Sequence, residues 1–246
     1  MPATPRGELL RIASHELRTP LTSIRGYGEL LATGRAGALT EQQQRMVGLI
    51  DLCAGKVYGI VEDLIVLTGL EEGTFGLAVE PIRLAPLVVR VAGELASVAR
   101  AAGVAIDAAV PGEVALLADP RHLQRALANL LSTAIGYAPE HETVRLAATQ
   151  EPGGATRLVL SCPSAGAAAG EQLELYERCL VHGPGAADLE GAGLALAVVH
   201  AVVGHHGGRL RAEAGDAGVA VTVLLPPAPP ADPAHVVLLR RSPVRA

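Results

Sequence analysis

The 246 residues give room for one large domain or two small ones. Half are hydrophobic and 18% are charged, a balance that excludes an intrinsically disordered chain. A net charge of −5 without a long basic run leaves no electrostatic footprint for nucleic acid, and aromatics at 2% leave the core to Ala, Val, Leu and Ile.

Residues 1–6 contain two prolines and read as a flexible lead-in. A helix is predicted from about Gly7 to Ala32. Leu9, Ile12, Ala13, Leu17, Leu21, Ile24, Leu30 and Leu31 recur there at steps of three and four. Pro20 lies inside it and is expected to bend it, because proline removes a backbone donor and crowds the preceding turn. The Gly-rich stretch TGRAGAL (33–39) reads as a turn. Thr40 opens a second helix with Gln43 completing a capping box. Its apolar stripe includes Met46, Leu49, Ile50, Val57, Ile60 and Leu64. One hairpin cannot bury both stripes, so residues 7–72 are expected to pair with a second copy as a four-helix bundle.

From residue 73 to 227 helices alternate with short strands. Helices are expected at 85–102, 120–137 and 193–204. Strands are expected at 104–108, 114–118, 143–149, 156–161, 209–213 and 219–225. This mixture predicts a two-layer α/β sandwich, so the fold class is α plus α/β. Residues 228–246 form a Pro-rich linker and a basic-apolar tail.

Cys53, Cys162 and Cys179 show no CxxC spacing. That argues against disulfides or a cysteine-held zinc and fits a reducing, cytoplasmic setting. The longest apolar run, at 193–204, is too short for a membrane span and carries His200. No basic region followed by an apolar stretch suggests a signal peptide. Any sensor is expected in a separate partner or outside this chain.

The segment ASHELRTPLTSIRGYGELL (13–31) carries the first chemical signature. A neutral imidazole at His15 can take a phosphoryl group on one ring nitrogen near pH 7. Glu16 can accept a hydrogen bond from the other nitrogen and raise its nucleophilicity. Thr19, four residues on, shares the helix face of His15. It also rules out a zinc-protease reading, which needs a histidine there. This segment resembles the H-box of bacterial sensor histidine kinases, in which His-Glu-x-x-Thr-Pro lies on the first helix of a dimerisation hairpin. The resemblance implies that His15 is the phosphoacceptor and that Thr19 positions a water to hydrolyse the aspartyl phosphate of a response regulator.

The same resemblance extends to the second domain as an ATPase of the histidine-kinase type. The segment DPRHLQRALANLLSTAIGYAP (119–139) is similar to the family's N-box helix. Asn129 and Tyr137 stand in place. Thr133 replaces the Asn that would ligate Mg²⁺, and Gly136 replaces a basic residue. A neutral hydroxyl on a shorter side chain is a weaker ligand for this cation. An Asp-x-Gly-x-Gly turn is expected after the strand ending near Ser161. Cys162 stands at the Asp that would accept from the adenine amino group, Ser164 replaces the first Gly, and Gly166 keeps the second. A thiol is a poor acceptor, so adenine selectivity is expected to blur. EGAGLAL (190–196) keeps Gly191 and Gly193 of the glycine box, where backbone N–H groups can approach phosphates, with Ala195 at the third glycine. Residues 183–187 (GPGAA) would lie in the ATP lid. HGG (206–208) precedes a strand, as is typical of the family.

The resemblance implies a homodimeric histidine kinase that uses ATP and Mg²⁺ at a degenerate site. His15 would be phosphorylated and would pass the group to an Asp of a response regulator receiver domain. The alternative is an ATP-independent histidine phosphotransferase or phosphatase built on the same His15 hairpin. A dimeric adaptor without catalysis is a third reading, and the intact H-box counts against it.

Overall fold

The structure is a computed structural model that describes residues 5–71, 76–164, 167–182, 192–215 and 218–227. The chain divides between Gly76 and Leu77 into two units. The tail at 228–246, the lid at 183–187, Gly166 and Gly191 lie outside the described residues.

The first unit is a hairpin of helix α1 (Pro5–Ala32) and helix α2 (Glu41–Glu71). Helix α1 starts ahead of the expected Gly7 and continues through Pro20. The start of α2 is fixed by a reciprocal cap. Thr40 N–H donates to Gln43 Oε1 at 2.9 Å, and Gln43 N–H donates to Thr40 Oγ1 at 3.3 Å. Two exposed donors of the first turn are thereby satisfied. Leu21, Ala54 and Val61 are buried between the helices, with Tyr58 and Ile65 packed against them. Leu17, Ile24, Met46, Leu49, Val57 and Ile60 remain exposed.

The second unit contains, in order, β1 (Glu80–Arg83), α3 (Leu84–Ala101), β2 (Ala105–Ala109), β3 (Ala115–Ala118) and α4 (Pro120–Tyr137). Then follow β4 (Thr143–Gln150), β5 (Thr156–Cys162), α5 (Ala167–His182), α6 (Ala192–His205), β6 (Arg209–Gly215) and β7 (Gly218–Leu225). Five strands form a sheet in the order β2-β4-β5-β7-β6. The β2–β4 pair is parallel and the other pairs are antiparallel. Strands β1 and β3 make a separate two-stranded ribbon.

The central strands alternate as a half-covered sheet requires. Val144, Leu146 and Ala148 of β4, Leu158 and Leu160 of β5, and Val219, Val221 and Val223 of β7 are buried, while the residues between them are less so. Leu123, Leu127, Leu130 and Leu131 of α4 pack in the same core as Leu196, Val199 and Val203 of α6. The expected two-layer sandwich is the fold observed.

Helix α5 was absent from the sequence expectation. Gln172, Tyr176 and Cys179 are buried on it at helical spacing. A polar residue inside the stripe hid its period from a reading of apolar residues alone.

The N-terminus of α4 is locked to the end of α6. Asp119 caps α4, accepting from the backbone N–H of Arg121 and of His122 at 3.0 Å each. It also accepts from Ala78 N–H at 2.8 Å and meets His122 Nδ1 at 2.9 Å. Asp119 N–H in turn donates to Nε2 of the buried His206 at 3.0 Å, and His206 Nδ1 lies 2.8 Å from Val202 O. These contacts define a neutral ring with its proton on Nδ1. Beyond it, a side chain at Gly208 would run into Leu224 O at 2.7 Å and Val203 Cγ1 at 2.8 Å, so the chain turns into β6 only with glycine there.

Two predictions follow from these cores. The exposed stripe of the hairpin should draw the chain into a dimer in sedimentation, and Leu49→Glu with Ile60→Glu should release monomers. A monomeric parent protein would refute that. Burial pushes the His206 imidazole down from its ordinary pKa, with opposing help to the charged form from Val202 O and Asp119. As pH falls, the unfolded chain therefore binds this proton first. Stability should be level above about pH 6.5 and decline below it. Urea midpoints should drop on acidification, and less steeply in His206→Gln, whose amide oxygen can still accept from Asp119 N–H. Equal slopes in the two proteins would place the loss elsewhere.

Candidate functional site

In the hairpin, His15 belongs to α1, and its side chain lies outside the described atoms. Glu16 and Thr19 are exposed on the following turn, where a macromolecular partner can reach them. Thr19 stands one turn beyond His15, and Pro20 follows it. Proline has no N–H, so Glu16 O receives no ladder bond from position 20.

In the second unit, α4, β5 and α6 converge. Asn129 and Thr133 are buried one turn apart on α4, and Tyr137 is half-buried one turn further on. Asn129 Nδ2 donates to Ala195 O on α6 at 3.3 Å. Thr133 Oγ1 donates to Asn129 O at 2.8 Å, so this hydroxyl folds back on its own helix. Gly193 is buried in the first turn of α6, and its carbonyl faces Cys179 Sγ of α5 at 3.8 Å. The structure thus brings Asn129, Thr133, Cys162 and Gly193 to adjoining elements.

Cys162 ends β5 and turns inward. Its thiol donates to Ala134 O on α4 at 3.2 Å. Burial pushes the thiol pKa up, with the Gln172 amide opposing, so the group is a neutral donor near pH 7. Ser164 is buried and donates to Oε1 of the fully buried Gln172 at 3.1 Å. The Gln172 amide also lies beside the Tyr176 hydroxyl, whose pKa burial raises strongly. Where a carboxylate acceptor would face a base amino group, this turn offers uncharged groups already engaged with the protein.

Gly218 lies close against this turn. At φ +125° this residue lies in a region that favours glycine. A Cβ there would collide with Cys162 O, and would meet Ser164 N at 2.6 Å and Pro163 Cα at 2.9 Å. Gln172, Tyr176 and Gly218 escaped the sequence reading. The helical spacing of Gln172 and Tyr176 was a usable signal, whereas the closeness of Gly218 to residues 162–164 arises only from the β5–β7 pairing.

Comparison with known proteins covers both units. Residues 5–73 match the His Kinase A (phospho-acceptor) domain. Residues 118–229 match the histidine kinase-, DNA gyrase B-, and HSP90-like ATPase family. The signal transduction histidine-protein kinase/phosphatase MprB of Mycobacterium ulcerans is 34% identical over 242 residues, covering 94% of this chain and 46% of that protein. The circadian input-output histidine kinase CikA of Synechococcus elongatus is 30% identical over 212 residues, or 85% of this chain and 28% of that protein. Among solved structures, full-length ShkA in complex with AMPPNP superposes with a TM-score of 0.60 at 26% identity, over 92% of this chain and 47% of that one. The chain therefore spans less than half the length of these relatives. Among the described residues, no helix is long and apolar enough to cross a membrane. With a phospho-acceptor hairpin and an ATPase sandwich matched in this order, the chain belongs to the sensor histidine kinases of two-component signal transduction.

Proposed function

We propose that this chain is the dimeric core of a histidine kinase that phosphorylates His15 from ATP and passes the group to an aspartate of a response regulator. The single observation that carries the reading is the uninterrupted helix bearing His15, Glu16, Thr19 and Pro20 inside a matched phospho-acceptor hairpin. The ATPase match and the AMPPNP of the related ShkA structure support ATP as the source.

One ring nitrogen of His15 attacks the γ-phosphorus. The new N–P bond forms as the bond to the β,γ-bridging oxygen breaks, and ADP leaves with that electron pair. Glu16 accepts the proton of the other ring nitrogen in a hydrogen bond and stabilises the cationic ring. An aspartate oxygen of the receiver domain then takes the phosphoryl group, and His15 recovers its neutral form. Thr19 orients water for hydrolysis of the resulting acyl phosphate. In the ATPase unit, Asn129, Tyr137 and the N-terminal turn of α6 around Gly193 are assigned to the nucleotide, with Gly166 and Gly191 as further contacts. Backbone N–H groups at such a turn suit phosphate oxygens.

The residues fit Mg²⁺ poorly. Thr133 presents a neutral oxygen on a short side chain already bonded to Asn129 O. Together with the inward-turned Cys162, this favours a second reading, in which His15 exchanges phosphoryl groups with regulators and the ATPase unit serves as a scaffold.

The purified protein, incubated with γ-labelled ATP and Mg²⁺, is expected to take up acid-labile label that His15→Ala abolishes. Absence of label, combined with transfer from a phosphorylated receiver domain onto His15, would replace autokinase activity with the second reading. Losing the base acceptor costs about 1–3 kcal/mol. Unlabelled GTP should therefore compete with ATP to within about tenfold. Strong preference for ATP would mean that another group reads the adenine.

A further inference from the structure

Three features of α1 fall on the turn that follows His15. Pro20 leaves Glu16 O without its ladder donor. Thr22 Oγ1 donates to Arg18 O at 2.9 Å, and Ser23 Oγ donates to Thr19 O at 3.2 Å. Back-bonding of this kind loosens and often bends a helix. Residues 16–23 are therefore the compliant stretch of α1, and His15 sits at its edge.

Within that stretch, the Arg18 side chain reaches α2. Arg18 donates from Nε at 3.0 Å and from Nη2 at 2.7 Å to a single oxygen of Glu62. Tyr58, one turn before Glu62, also lies beside the guanidinium and packs against the buried Leu21, Ala54 and Val61. Another cross-helix pair, Arg25 with Asp51, is looser at 3.5 Å and more exposed. The Arg18 and Glu62 side chains are 40% and 26% exposed, and pairs this open add little to global stability. What the pair can set is geometry. It connects the turn that follows His15 to α2 through two directed hydrogen bonds.

We propose that Arg18, Glu62 and Tyr58 form a latch that fixes the rotational phase of the His15 turn, with Arg18 and Glu62 acting as positioning residues for phosphoryl transfer. Arg18 follows His15 by three residues, so a rotation of α1 at the proline would move both together. With the latch closed, the turn is held in one phase against α2. With it open, the compliant stretch samples several phases, and fewer of them present the imbrication of nucleophile and phosphorus that in-line attack needs. The latch rests on the assignment of His15 as phosphoacceptor.

The test uses the full chain with Glu62→Gln and Arg18→Gln, and the charge reversal Arg18→Glu/Glu62→Arg. Hydrogen exchange over residues 16–23 should accelerate about fivefold in each single variant. The rest of α1 and α2 should exchange as in the parent protein. The rate of His15 labelling at saturating ATP should fall about tenfold, with the KM for ATP unchanged. The double reversal should recover both readouts. Unchanged exchange in both single variants overturns the latch, as does exchange raised evenly along the hairpin, a KM effect in place of a kcat effect, or failure of the reversal to recover. A parent protein that takes no label from ATP ends the autokinase reading instead, and exchange over residues 16–23 then decides the latch by itself.

Discussion

A carboxylate taken out of water must be surrounded by donors or surrender its charge. Asp119 is 2% exposed. Burial alone would raise its pKa, yet the N–H groups of His122 and Ala78 and the His122 ring hold it below the usual range. Its own N–H is passed on to His206. Through this one residue the lead into β1, the start of α4 and the end of α6 are joined. Every described residue assigned to the nucleotide lies on α4 or α6 or on a strand packed beneath them. Their mutual placement therefore depends on this node, although Asp119 itself is far along α4 from Tyr137.

The hairpin is governed by a different constraint. Among the described residues Leu17, Ile24, Met46, Leu49, Val57 and Ile60 are left exposed, and these apolar side chains call for a second surface. Its internal order comes from directed bonds as much as from burial. The Thr40–Gln43 cap marks where α2 begins, and Arg18–Glu62 joins α1 to it by two hydrogen bonds.

Much of this was legible because local chemistry and fold agree. Asp119 and Pro120 announce the start of α4 as a cap and a first-turn proline, and the helix begins there. Alternation located β4, β5 and β7 within a residue or so. The H-box was readable because its residues are adjacent in sequence. Helix α5 was not, since Gln172 interrupts its apolar stripe and acquires its meaning only from Ser164, Cys162 and Tyr176 across space. The substitution at Cys162 was visible as a missing acceptor. That the thiol turns to Ala134 O depends on the register of β5 against α4, which no local pattern carries.

The turn at residues 162–164 and the framework are therefore separable. Asp119, His206 and Gly208 hold α4, α6 and β6 together without any contact that a nucleotide base would use. Gly218 approaches the backbone of residues 162–164 too closely for any side chain at 218. Replacing a carboxylate by a buried thiol removes a charge that would have needed solvation or a ligand, and it adds a hydrogen bond to Ala134 O. A thiol there leaves the fold with one fewer buried charge than a carboxylate would. A sandwich built in this way can keep its shape while the side chains of the turn at residues 162–164 change.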